Sequence, residues 1–203
     1  MKRFVLILIT GALIAQASFS QAVSDKAVIP VSVTLNSVLR LTIESGGNID
    51  FVFSNLEQYQ EGITNSTQYT TTFSVSASTD YNVTMWAEES NLQGNNTTTT
   101  AGGSINTFSL DNIGYTINDP SGSNPSELNG GNTPPVALNE TSTTEIVAYD
   151  GTNHNAGPAD ANTFEIQWEC GTGGGNMNGT AILNQNVAAD RYSVNVYLSL
   201  APN

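Results

Sequence analysis

Residues 69–87 read YTTTFSVSASTDYNVTMWA, and this stretch decides the fold class. From Tyr69 to Ala77, apolar positions alternate with Thr and Ser, and Tyr81 to Ala87 repeats the alternation. A period of two predicts strands with one buried face. The three residues Ser78 to Asp80 have the length of a tight hairpin connection. The stretch therefore indicates an antiparallel sheet.

Alternating segments recur along the rest of the chain, and no window has a helical period. Short segments of this kind, divided by Gly, Pro and Asn, favour an all-β antiparallel sandwich, Ig-like or pilin-like, with roughly nine or ten strands. Residues 91–104 and 118–142 are rich in polar residues, Gly and Pro, which predicts long loops. We expect one domain over residues 23–203.

The N-terminus has the pattern of a secretion signal, predicted over residues 1–22. Lys2 and Arg3 precede an apolar run, and small residues follow at Ser20 and Ala22. The run is too short for a stable membrane span, so no membrane insertion is expected after cleavage. Ala17 and Ser20 are alternative cleavage positions. We expect a bacterial protein that is secreted or held at the cell surface.

The charge balance is strongly acidic. The chain has 5 basic and 18 acidic residues and a net charge of −13, which loss of Lys2 and Arg3 lowers to −15. Nucleic acid is a poor partner for such a surface, because phosphate binding needs clustered basic side chains. Cys170 is the only cysteine, so stability must come from packing or assembly rather than an internal disulfide.

The residue types suited to catalysis do not form a recognisable motif. His154 lies in a polar loop, where it could act as a general base, but no motif supplies an orienting carboxylate or oxyanion hole. Glu165 and Glu169 share one strand face about 13 Å apart. Paired carboxylates of glycosidases lie within about 9.5 Å, so we expect a solvated acidic face. Cys170 is expected in the core. The sequence thus predicts a protein that is not an enzyme.

Metal and cofactor sites are not expected either. The loops near Asp119, Asp150 and Asp160 offer oxygen ligands suited to calcium, but none has the spacing of a calcium-binding loop. We therefore predict no cofactor and assign no metal ligands.

Trp86 is the candidate binding aromatic. If Tyr81, Val83 and Met85 face the core, Trp86 lies on the opposite face of the same strand. An outward Trp can stack on a sugar ring or anchor a protein contact, unless a loop or second layer covers it. This supports an alternative function as a carbohydrate- or protein-binding module.

Three segments resemble secreted bacterial pilin-type sandwich subunits, including spore-coat-U-like proteins. They are the terminal segment 186–200 (NVAADRYSVNVYLSL), Ile49 to Phe53, and the Tyr69 to Tyr81 region. The resemblance implies polymerisation by β-strand addition, in which an extended segment of one subunit completes the sheet of the next.

Residues 29–35 have the alternation that such a donor needs. Ile29, Val31, Val33 and Leu35 are apolar and are separated by Pro30, Ser32 and Thr34. The same residues also suit an ordinary first strand. The predicted function is a non-catalytic structural subunit of an extracellular or surface assembly, with itself or other surface proteins as partners and polysaccharide as a further possibility.

Overall fold

The structure is a computed structural model that describes residues 27–97, 103–123, 127–128 and 135–203. These residues contain eleven strands in three antiparallel sheets and confirm the predicted all-β, sandwich-like class. The described residues 27–35 belong to a different unit from Asn36–Asn203. The predicted signal peptide lies outside the described residues. Within these ranges, no helix has the length and apolarity needed to cross a membrane.

The largest sheet, sheet A, has five strands. In spatial order they are β1 (Leu39–Ser45), β2 (Thr70–Ala77), β9 (Thr163–Cys170), β6 (Ile113–Asn118) and β7 (Val136–Ala137).

The other two sheets have three strands each. Sheet B has the order β11 (Val196–Pro202), β3 (Tyr81–Ala87), β8 (Glu145–Val147), and sheet C has the order β10 (Tyr192–Ser193), β4 (Asn91–Thr97), β5 (Ile105–Ser109).

One hydrophobic core joins the sheets. Phe73 of β2 and Phe164 of β9 are fully buried, and their rings stack with centroids 5.3 Å apart. Val83 and Met85 of β3 contribute from sheet B with exposures of 0% and 1%. Burial of each such side chain stabilises the fold by about 1.5–3 kcal/mol. The alternation that predicts β2 and β3 therefore identifies the buried face of each strand.

The prediction of a hairpin at Ser78 to Asp80 is wrong, because β2 belongs to sheet A and β3 to sheet B. The connection instead crosses from one sheet to the other. Its polar groups bond to distant segments: the Asp80 carboxylate accepts from the backbone N–H of Asn155, and the Ser78 hydroxyl accepts from that of Val38. Alternation specifies which face of each strand is buried but does not choose the neighbouring strand.

Two strands lie in segments predicted as loops. Asn91–Thr97 form β4, which is held by the opposed pair Leu92 and Phe108. The Asp190 carboxylate supports β4 by accepting from the backbone N–H of Asn96. Val136–Ala137 form β7, a two-residue strand inside the second predicted loop. The local sequence did not predict either strand, because both are stabilised by contacts with segments that are distant in sequence.

Among the described residues, helical structure is limited to short elements. The α-helix α1 spans Leu56–Glu61 and begins with a capping box in which Asn55 and Gln58 bond reciprocally. Gly62 ends it at a φ of 79°, and a Cβ there would collide with the backbone of Gly171. Single 3₁₀ turns span Thr67–Tyr69, Leu110–Asn112 and Ile182–Asn184.

Candidate assembly surface

The predicted donor residues are strongly exposed. Ile29, Val31, Val33 and Leu35 have exposures of 82%, 84%, 78% and 90%, and residues 27–35 lie outside every assigned strand. Val28, on the opposite face, is also exposed, at 87%. Five large apolar side chains in one short segment are unusual on a protein surface, where isolated apolar residues are the norm. Residues 27–35 therefore have the apolar composition of a buried strand, but their side chains are exposed.

A second exposed feature lies at one edge of the sandwich, where β1 is the outer strand of sheet A and β11 the outer strand of sheet B. The two strands contact each other, but no ladder joins them within the described residues. Each pairs with a single strand there, β1 with β2 and β11 with β3. We call β1 and β11 together the open edge.

The open edge exposes side chains that face the core. Leu41 lies opposite the fully buried Val75, and Leu198 lies opposite Met85, so both leucines are on the core face of their sheets. Both are only partly buried. Ile43, opposite Phe73, is 42% exposed. Apolar core is therefore accessible between the two outer strands.

Trp86 lies on the outer face of β3, as the alternation predicts, and is half-buried. Its cross-strand neighbour is Tyr197 of β11, with ring centroids 5.6 Å apart. The Tyr197 hydroxyl donates to Glu88, and this hydrogen bond raises the pKa of Tyr197. The sequence does not reveal the Tyr197 contact, because it depends on the register between two distant strands.

His154 pairs with Asp80 rather than with a hydroxyl nucleophile. Its Nδ1 lies 2.7 Å from Asp80 Oδ2, and its ring stacks on Tyr149. The hydrogen bond with Asp80 raises the pKa of His154 and, reciprocally, lowers that of Asp80. Asp80 also accepts from two backbone N–H groups, of Asn155 and Ala156. The pair fixes the loop that follows β8.

The acidic face predicted for β9 is only partly correct. Glu169 is 8% exposed, and its Oε1 accepts a hydrogen bond from Thr172. Trp168 donates to Thr71 on the neighbouring strand. Cys170 is buried, as expected, and burial raises the pKa of its thiol to about 12. The thiol is therefore protonated and unreactive at neutral pH.

Two of the three candidate calcium loops use carboxylate oxygens for hydrogen bonds within the loop. Asp119 accepts from the backbone of Ser121 and Gly122, and Asp150 accepts from that of Thr152. Within the ranges that the structure describes, no group of three or more His, Cys, Asp or Glu side chains is placed to hold a metal ion.

Sequence reasoning missed a buried polar network around Glu127. This residue is 2% exposed, and its Oε2 accepts from Asn155, which also bonds both backbone groups of Tyr81. Oε1 of Glu127 and the hydroxyl of Tyr81 are buried without hydrogen-bond partners. Burial raises the pKa of Glu127. Its flanking Gly- and Pro-rich sequence gave no sign of a buried carboxyl.

A scan against protein-family models and a search of the curated proteins both find no match to this chain.

Proposed function

We propose that the protein is a secreted, non-catalytic structural subunit of an extracellular or cell-surface assembly, and that it polymerises by β-strand addition. The observation that carries the proposal is the exposure of Ile29, Val31, Val33 and Leu35, between 78% and 90%. Burying four such side chains gains roughly 6–12 kcal/mol. Ordering the backbone of seven residues costs roughly 7–14 kcal/mol, so hydrogen bonds to an existing strand are also needed.

The pattern of the segment fits addition to one strand. Side chains at 29, 31, 33 and 35 share a face, and their backbone groups point toward one edge. Pro30 is out of phase with them, so its missing N–H lies on the opposite side of the segment. Residues 27–35 carry no charge, which allows them to approach an acidic partner. One side of the segment can therefore pair without interruption.

The open edge is the acceptor surface in this proposal. The donor strand lies along β11 or β1 and places its apolar side chains over Leu41 and Leu198. Both sets of side chains lose water together, and the backbone groups on the outer strand gain partners.

A second copy of the chain is the partner that this arrangement favours. Each molecule carries one donor segment and one acceptor edge, which are different surfaces. Such a heterologous contact repeats from copy to copy, and it produces an open filament when the rotation does not close a ring.

A pair of matched double variants tests the proposal. Val31→Asp with Val33→Asp places two charges on the apolar face of the donor. Ser32→Asp with Thr34→Asp adds the same charge to the same segment but on the other face. We expect the first variant to be monomeric by size-exclusion chromatography with light scattering, and the second to form filaments by electron microscopy.

The outcome against the proposal is equally specific. Normal filaments from the Val31→Asp, Val33→Asp variant would remove the donor role of this face. Equal loss in both variants would show that charge alone, rather than side-chain pockets, controls assembly. A wild-type protein that stays monomeric at all concentrations would contradict self-assembly.

A further inference from the structure

The outer face of sheet B carries an aromatic pair beside a polar depression. Trp86 and Tyr197 are directly opposed on β3 and β11, with an angle of 34° between their ring planes. Tyr197 is 42% exposed and Trp86 is half-buried. Since both residues point away from the core, the pair is separate from the apolar side chains of the open edge. We call these two residues the aromatic platform.

Glu88 is held in a defined position next to the platform. Its Oε1 accepts from the Tyr197 hydroxyl at 3.1 Å, and its Oε2 accepts from Asn195 Nδ2 at 2.6 Å. A carboxylate oxygen can accept a second hydrogen bond, so both oxygens retain capacity for an incoming hydroxyl. The carboxylate is thus fixed in orientation while remaining able to bind.

The depression beside Glu88 has a volume of about 320 Å³, and it is open to solvent. Its lining is mostly polar and consists of Glu88, Glu89, Gln93, Ser193, Val194 and Asn195. The carboxylates accept hydrogen bonds from hydroxyls, and the side-chain amides both donate to hydroxyls and accept from them. The lining contains two acidic residues and no basic one.

We propose that the aromatic platform and this depression bind a pyranose unit of a neutral polysaccharide. Trp86 and Tyr197 present flat ring surface to the C–H face of the sugar. Glu88, Gln93 and Asn195 bond to its hydroxyls. The carboxylates and the net charge of −13 oppose a uronic acid or sulfated sugar. This site does not depend on the proposed polymerisation.

A protein partner fits the same surface less well. The fully buried centre of a protein interface is apolar and depleted of Glu and Ser. Here the depression beside the aromatic pair is lined by Glu88, Glu89 and Ser193. Aromatic rings next to many oriented polar groups match a ligand that has apolar faces and a rim of hydroxyls.

Affinity electrophoresis tests the proposal with defined probes. The mature protein is run through gels containing glucomannan, galactomannan or mixed-linkage β-glucan, with alginate as the anionic comparison. We expect at least one neutral polysaccharide to retard the wild type, and Trp86→Ala to weaken the apparent affinity about tenfold. Tyr59→Ala removes a half-buried ring that packs on Phe53 and lies outside the platform and the depression, so it serves as the matched control and should bind normally.

A second readout covers the case in which Trp86→Ala folds poorly. The chain has two tryptophans, and Trp168 is only 7% exposed, so a fluorescence change on adding polysaccharide reports mainly on Trp86. Tyr197→Ser, on an outer strand, should reduce this change while Tyr59→Ala preserves it.

Two binding results would overturn the site. One is no retardation by any of the neutral polysaccharides, whether or not alginate retards the protein, and the other is retardation that Trp86→Ala and Tyr197→Ser leave unchanged. If Trp86→Ala alters the oligomeric state without polysaccharide, the platform is a protein contact and the sugar proposal fails.

Discussion

Two parts of the same sandwich use similar side chains with different results. In the interior, Phe73 and Val75 of β2 are fully buried. On β1, the directly opposed Ile43 is 42% exposed and Leu41 is only partly buried. All four residues face the core, so hydrophobicity does not separate them. The side chains differ in burial because β2 has a neighbouring strand on both sides, whereas β1 has a neighbour on one side only within the described residues.

The comparison gives a physical meaning to the open edge. The outer strands β1 and β11 direct leucines toward the core, but these leucines are only partly buried, so packing at that edge is incomplete. The exposed segment 27–35 has the residues needed to finish it. The same chain therefore has an incompletely covered sheet edge and an exposed apolar segment. Together they support the proposal of an assembly subunit over that of a lone domain.

The largest expected effect is a cavity in the interior. Phe73→Ala should lower the free energy of unfolding by about 3–5 kcal/mol, because a fully buried ring is lost. Leu41→Ala should cost only about 1–2 kcal/mol, because that leucine is only partly buried. Urea denaturation of both changes in the monomeric Val31→Asp, Val33→Asp background measures the two costs. Equal costs would mean that the open edge is packed like the interior.

The next effect tests whether the open edge can be closed. A synthetic peptide of residues 23–36, added to the chain lacking 27–35, should bind and raise its stability. At a hundredfold excess over Kd, the gain is about 2.7 kcal/mol. Leu198→Ala in the acceptor should weaken peptide binding, measured by calorimetry. A peptide with its sequence scrambled should not bind, and equal binding of both peptides would contradict a specific strand site.

A smaller effect on stability is expected at Glu127, which is buried with one carboxylate oxygen that has no hydrogen-bond partner. Its raised pKa means that the folded state holds the proton more tightly. Stability should therefore fall as pH rises from about 4.5 through the raised pKa. Glu127→Gln removes this dependence and should stabilise the protein at pH 7 by about 1 kcal/mol.

The control for this prediction is the exposed Glu140→Gln. It changes the net charge equally without touching the buried network around Tyr81. Thermal melts of the two variants across pH separate a local burial effect from general charge repulsion. If both variants show the same pH dependence as the wild type, Glu127 is not the buried acid that limits stability.

The smallest effect is expected at the exposed pair His154 and Asp80. The pKa of His154 is raised, so its contribution is complete below about pH 6.5 and is lost as pH rises through the raised value. His154→Ala should lower Tm slightly in mildly acidic buffer, and the difference should vanish in alkaline buffer. A difference independent of pH would indicate lost packing on Tyr149 instead.

The strands are predictable where the core is dense. Alternation places Phe73, Val83 and Met85 on buried faces, because every second side chain must be apolar there. The neighbour of each strand is not predictable in this way, which is why the connection at Ser78 to Asp80 was mistaken for a hairpin. Partner choice depends on long-range contacts, such as those of Asp80 with Asn155.

The polar elements were harder to foresee for a different reason. β4 is stabilised by Asp190, which is distant in sequence, and the buried Glu127 accepts a hydrogen bond from the distant Asn155. Composition alone predicts that such residues are exposed. Trp86 was predicted on an outer face because its strand alternates strictly, whereas its partner Tyr197 required the register of β11. The capping box of α1 was a readable signal in Asn55 and Gln58.

Amide hydrogen exchange of residues 27–35 tests the central claim most directly. It compares the wild-type protein with the Val31→Asp, Val33→Asp variant, using peptides from 27–35 and from β11. The account predicts slow exchange of both regions in the assembled wild type and fast exchange of residues 27–35 in the variant. Fast exchange of residues 27–35 in the assembled wild type would contradict it, as would slow exchange in an isolated wild-type monomer, which would mean that the segment pairs with its own sandwich.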